Sequence, residues 1–193
     1  MRRLCVFCGS ATGNHPDFAD AALQFGREMA RRNLGLVYGG GNIGLMGILA
    51  DAVLAGGGTV IGVIPRFLES REIAHRGVQE LHVVETMHER KALMADLADG
   101  FAALPGGFGT WDELCEILTW GQLHLHSKPC GILNVRDYFA PLLQQVDHAV
   151  ATGFVPSSHA ARILTATSAS ALIDALIDRD QTQILYKPSM DPR

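Results

Sequence analysis

Short apolar runs rich in β-branched residues alternate along the chain with longer stretches whose apolar positions return every three or four residues. The short runs predict strands over 4–8, 34–38, 59–64, 81–84, 101–104, 131–135 and 163–166. The longer stretches predict helices over 16–32, 45–55, 87–98, 111–123, 138–151 and 169–178. In the first helix Phe18, Ala22, Phe25 and Met29 share one side, the stripe a helix buries against a core. The helix over 111–123 is apolar on several sides, through Trp111, Leu114, Ile117, Leu118 and Trp120, so the core or a partner must cover it. Strands alternating with helices imply a doubly wound α/β domain, Rossmann-like, with a mostly parallel sheet in the middle of three α/β/α layers. We expect one such domain over 1–186 and a loose tail over 187–193, where Pro188 and Pro192 fall. Such sheets bind ligands beyond the C-terminal ends of their strands, so the chemistry is expected at the strand-to-helix junctions.

Length and charge narrow the classes. A chain of 193 residues can bury a core without disulfides or metal. Sixteen basic against 20 acidic residues give a net charge of −4, which argues against a nucleic-acid partner held by bulk positive charge. No apolar run approaches the ~18 residues of a membrane span. The apolar stretch behind Met1-Arg2-Arg3 stops at Gly9-Ser10, too short for a signal peptide, and a cytoplasmic location is the simplest reading. Cys5 and Cys8 form a C-x-x-C inside a strand, where residues three apart face opposite ways and cannot share a metal or a disulfide. Cys115 and Cys130 read as small apolar residues of a helix and a strand, so all four cysteines are expected to be structural.

The 21 glycines cluster at junctions. The first cluster is Tyr38-Gly39-Gly40-Gly41-Asn42-Ile43-Gly44-Leu45-Met46-Gly47, between a strand and a helix. Free N–H groups at that helix start favour a phosphate at Gly39, Gly40 and Gly41; the bland alternative is a turn that only permits close packing. It satisfies G-x-G-x-x-G but lacks the ribose-binding carboxylate of a dinucleotide site, and it has no Gly-Lys-Ser/Thr. The second cluster is Leu104-Pro105-Gly106-Gly107-Phe108-Gly109-Thr110-Trp111-Asp112-Glu113. Gly106, Gly107 and Gly109 leave backbone N–H groups open to an anion. Thr110 stands where an N-cap belongs, and Thr110-x-x-Glu113 reads as a capping box; spacing alone favours the cap over a carboxylate facing a bound sugar. The third junction is Thr86-Met87-His88-Glu89-Arg90-Lys91, where Thr86-x-x-Glu89 is another capping box. Arg90 and Lys91 oppose the helix dipole, which suggests an offsetting anion or carboxylate; for Lys91 a solvated basic patch is the alternative.

No H-E-x-x-H, zinc-spaced Cys/His pair or G-x-S-x-G occurs, so neither a catalytic metal nor a serine nucleophile is expected. No cofactor is expected either. The three lysines, Lys91, Lys128 and Lys187, lie in no recognisable pyridoxal phosphate motif, and the missing ribose carboxylate weakens an NAD reading.

Together these motifs resemble one family. The signature P-G-G-x-G-T-x-x-E stands at Pro105 to Glu113, M-H-x-R-K at Met87 to Lys91, and G-G-G-x-x-G-L-M-G at Gly39 to Gly47. The chain is similar to the LOG family, the cytokinin riboside 5′-monophosphate phosphoribohydrolases, many of which were once labelled possible lysine decarboxylases. The resemblance runs from the Cys8-Gly9-Ser10 turn through the helix after Val135, and more weakly to Arg179. It implies hydrolysis of the N-glycosidic bond of an adenosine 5′-monophosphate, N6-modified or plain, giving free base and ribose 5-phosphate. It also implies a homodimer with the active site near the subunit contact. By position, Arg90 and Glu113 match the family's catalytic pair. Glu72, Lys91, Thr119 and the segment Gly107 to Glu113, which includes Phe108, Gly109 and Thr110, match its substrate-binding positions. A non-catalytic nucleotide sensor on the same fold is the competing class; it would keep the glycine loops without needing both Arg90 and Glu113.

Overall fold

A computed structural model describes residues 1–69 and 74–185. Seven strands form one sheet: β1 (Arg3–Phe7), β2 (Gly35–Tyr38), β3 (Val60–Pro65), β4 (Glu80–Val84), β5 (Gly100–Ala103), β6 (Cys130–Leu133) and β7 (Ile163–Ala166). Their order is β4-β3-β2-β1-β5-β6-β7, and every strand pairing is parallel. The helices are α1 (Pro16–Arg31), α2 (Gly44–Ala55), α3 (Arg66–Glu69), α4 (Met87–Leu97), α5 (Phe108–Gln122), α6 (Ala140–Ala151), α7 (Ser157–Ala160) and α8 (Ala169–Leu185). A 3₁₀ turn, Val135–Asp137, precedes α6.

The side-chain period of two divides β1 between two cores. Leu4, Val6 and Cys8 join Phe25, Met29, Leu49, Val53, Leu172 and Leu176, from α1, α2 and α8. Cys5 and Phe7 join Met94, Phe101, Leu114, Ile117 and Phe139, on the side of α4 and α5. Cys5 and Cys8 therefore do lie on opposite faces, both buried and unpaired, as is Cys130. Cys115 differs from expectation: α5 turns it outward, and it is exposed. The helical period around Leu114 and Ile117 dictates this, since those two face the core.

The helices depart from the sequence reading in two boundaries and two added elements. The helix expected at 111 begins at Phe108, with Gly107 in extended conformation as its N-cap. Thr110 is thus inside the first turn and Glu113 beyond it, so the capping box proposed for that pair is not formed. The single-turn helices α3 and α7 were not expected, and α8 continues to Leu185. The other capping box is formed in its threonine half: Glu89 N–H donates to Thr86 Oγ1 at 3.1 Å, while the Glu89 carboxylate accepts at 3.0 Å from the N–H of Glu85, the residue before the cap. The expected tail over 187–193 lies outside the described residues.

Strand order reverses around β1, which has β2 on one side and β5 on the other. That switch point opens a crevice above the C-terminal ends of β1 and β5. Among the described residues no helix is long and apolar enough to cross a membrane.

Candidate active site

The two glycine junctions look alike in sequence, yet they are used differently. At α2, the N–H groups of Leu45 and Met46 both donate to the Gly9 carbonyl, at 3.0 and 3.3 Å. Gly44 opens that helix with φ +62°, and a side chain there would strike the Ser10 backbone. The turn after β1 therefore occupies the α2 terminus, and the phosphate expected there has no free donors at Leu45 or Met46. Gly40 and Gly41 are buried and face protein: Gly40 O accepts from His75 N–H at 3.0 Å, and Gly41 bridges Ala74. Gly39 alone of the three lines the cavity described below.

The start of α5 is open. Its N-cap, Gly107, provides no side-chain hydrogen bond, and no acidic residue lies in its first turn. The first N–H groups of a helix have no partner within it. Gly107 and Gly109 have empty space where a Cβ would stand, so an anion can approach the backbone closely.

Beneath this terminus lies a cavity of about 200 Å³, lined by residues of β1 and the turn after it, Gly39, Met46, Arg90 and the start of α5. Among the described residues the buried polar or charged ones are Arg90, Thr110, Glu113 and His75, and the first three line this cavity. Burying a charge is costly unless it is paired or hydrogen-bonded. Arg90 meets that condition: Nε donates to Val63 O at 3.1 Å and Nη2 to Gly39 O at 2.9 Å. Its Nη1 stands 3.9 Å from Glu113 Oε1. A Cβ at Gly39 would collide with the guanidinium as it is held here, so a larger residue would displace Arg90. Burial and then the Glu113 charge push the Cys8 thiol, also in the lining, well above its usual range. Cys8 is therefore a neutral wall rather than a nucleophile.

A second chamber of about 320 Å³ adjoins the first and shares Gly9, Ser10 and Gly107 with it; Phe18, Leu45 and Tyr138 form its apolar side. Together the two reach the ~300–1,000 Å³ of ordinary small-molecule sites. Ser10 and its neighbour Gly9 are site residues that the motif reading did not single out. The available signal was a small-polar turn placed directly after the central strand.

The remaining candidates are distributed as follows. Phe108 projects into solvent at 85% exposure, its ring edge-on to Trp111. Lys91 points across to α5, with Nζ 3.0 Å from both Asp112 Oδ2 and Glu116 Oε2. Burial opposes its charge, but these two carboxylates outweigh that and hold its pKa above the usual lysine value. Carboxylates thus offset the cations at the start of α4, and Lys91 is outside the cavity. Gly106 sits over Thr110 and accepts a hydrogen bond from Tyr138 OH. Thr119 is two turns farther along α5, exposed, its hydroxyl donating to Cys115 O at 2.7 Å. It lines a separate cavity of about 220 Å³ that has no carboxylate in its wall. Within one chain, Thr119 and the Arg90–Glu113 pair are not brought together. Glu72 lies outside the described residues.

Among the described residues no group of three or more His, Cys, Asp or Glu is placed to hold a metal. Of the described lysines, Lys91 and Lys128, neither lines the cavity.

Residues 46–176 match the family model described as possible lysine decarboxylase. A cytokinin riboside 5′-monophosphate phosphoribohydrolase of Arabidopsis thaliana is 50% identical over 178 residues, covering 92% of this chain and 84% of that one. One from Oryza sativa subsp. japonica is 49% identical over 173 residues, covering 90% of this chain and 72% of that one. Among solved structures, the molybdenum cofactor binding protein of Rippkaea orientalis superposes with a TM-score of 0.68 at 21% identity, covering 92% of this chain and 97% of that one. At that identity the likeness speaks for the fold alone.

Proposed function

The chain belongs to the LOG, or possible lysine decarboxylase, family, and from that premise we propose that it hydrolyses the N-glycosidic bond of adenosine 5′-monophosphates, N6-modified or plain. Water adds at the anomeric carbon, the base leaves with a proton, and ribose 5-phosphate remains. The observation that carries this reading is the buried Arg90–Glu113 pair in a cavity beneath an open helix N-terminus.

The geometry suits a ribose phosphate. The N–H groups of Gly107, Phe108 and Gly109 would hold the 5′-phosphate. Glu113 lies five residues below Phe108, about 7–8 Å along the helix axis, and its side chain leans back toward the N-terminus. That separation is comparable with the span from phosphate to anomeric carbon. Cleavage develops positive charge on the sugar, as in other oxocarbenium-like reactions. A preorganised carboxylate stabilises that charge or orients the attacking water. Arg90 is locked by the Val63 and Gly39 carbonyls and turns Nη1 toward Glu113, which supports a role in keeping that carboxylate aimed.

The test is product analysis by chromatography with isopentenyladenosine 5′-monophosphate, AMP and isopentenyladenosine. Free base from the monophosphates and not from the nucleoside is the expected result. Bound nucleotide with no base released from any substrate would replace the enzyme with a sensor.

We further propose a cytoplasmic homodimer. Three unpaired buried cysteines suit a reducing compartment. Phe108 and Trp111 at the start of α5 and Leu123 and Leu125 past its end are exposed apolar side chains, which a second copy would cover. Light scattering after size exclusion should give twice the chain mass; a monomer at micromolar concentration would refute the dimer.

A further inference from the structure

Of the buried polar side chains among the described residues, His75 is the one that does not line the cavity. It lies between α3 and β4, outside the cavity. Its imidazole is almost sealed, yet both ring nitrogens are engaged. Nδ1 accepts from Gly77 N–H at 3.2 Å, and Nε2 is 2.9 Å from Asp51 Oδ1 on α2. A nitrogen that accepts a backbone N–H carries no proton, so the neutral ring holds its proton on Nε2 and donates it to Asp51. The ring thereby pins its own backbone. His75 N–H donates to Gly40 O, and the preceding residue, Ala74, forms an antiparallel bridge with Gly41.

Gly40 and Gly41 directly follow the residue whose carbonyl holds Arg90. One side of the turn is fixed by Ala74 and His75. On the other, Gly39 O accepts from Arg90 Nη2, and Arg90 Nη1 faces Glu113. Asp51, His75, the Gly39–Gly41 turn, Arg90 and Glu113 form an unbroken series of contacts from an exposed carboxylate to the reacting centre. We infer that His75 is a positioning residue for Arg90: it fixes the direction of the Gly39 carbonyl and hence the guanidinium that faces Glu113. The catalytic part of this inference rests on the phosphoribohydrolase reading; the structural part does not.

His75→Ala should lower kcat on AMP by about tenfold to a hundredfold, the scale on which slight misplacement of a reacting group acts. KM should stay within about twofold, because the α5 terminus is untouched. His75→Gln, whose amide can still donate to Asp51, should recover most of the loss. In an Arg90→Lys background the same His75→Ala change should alter kcat by less than about twofold, since the group it positions is gone. Equal fold losses in both backgrounds, or a change in KM alone, would overturn the inference. A second readout needs no turnover. The Nη2–H signal of Arg90, the group bonded to Gly39 O, should shift and lose exchange protection in a ¹⁵N spectrum of His75→Ala. An unmoved, protected signal would overturn the inference even if the wild type released no base.

Discussion

Glu113→Gln is expected to lower kcat for monophosphate cleavage by about 10²- to 10⁴-fold, with KM changed little. The amide keeps the shape of the side chain and removes the charge that offsets the developing cation. Arg90 then faces a neutral group, but its bonds to the Val63 and Gly39 carbonyls remain, so the folded state should persist. Arg90→Ala is harsher on stability, because it strands both carbonyls and leaves Glu113 buried beside an empty space. Single-turnover base release on folded Glu113→Gln protein is the measurement. A kcat within about tenfold of wild type would remove Glu113 from the catalytic role.

The second large effect concerns the phosphate. Gly109→Asp is expected to cut kcat/KM for AMP by about a hundredfold or more. It sets a carboxylate among the N–H groups assigned to the phosphate, whose charge-assisted bonds are each worth about 1.5–3 kcal/mol. The backbone has room, since nothing lies near a Cβ at this position. An acidic residue in the first turn of α5 also favours the helix, so thermal stability should not fall. Initial rates across AMP concentrations, with a melting curve alongside, separate the two. Unchanged kcat/KM in a stable variant would place the phosphate elsewhere.

The alternation of strands and helices was legible because the inner strands β1, β2, β3, β5 and β6 are buried on both faces and read as apolar runs. The halves of the core were legible too, from the stripe of Ala22, Phe25 and Met29 and from the period of β1. The sequence failed where a distant backbone group decides the outcome. Nothing local to Gly39–Gly47 reveals that Gly9 O would take the N–H groups of Leu45 and Met46. Likewise Gly-Phe-Gly looks like a loop by propensity, and it is tertiary placement above β1 and β5 that makes Phe108 the first residue of α5. The choice between cap and chemistry for Glu113 turned on that three-residue shift. His75 carried no motif at all; only its burial marks it.

The place of β1 also governs how the molecule is made. Leu4 pairs with Leu36 on one edge and with Gly100 on the other. The first of these strands to be synthesised therefore waits with the N–H and C=O groups of one edge unpaired while the intervening chain emerges, which at ~5–20 residues per second takes on the order of 5–20 s. During that interval the nascent half exposes a sticky strand and has no crevice. Substitutions that slow the docking of β5 should thus show first as poor yield during expression, before any loss of activity in the molecules that complete the sheet.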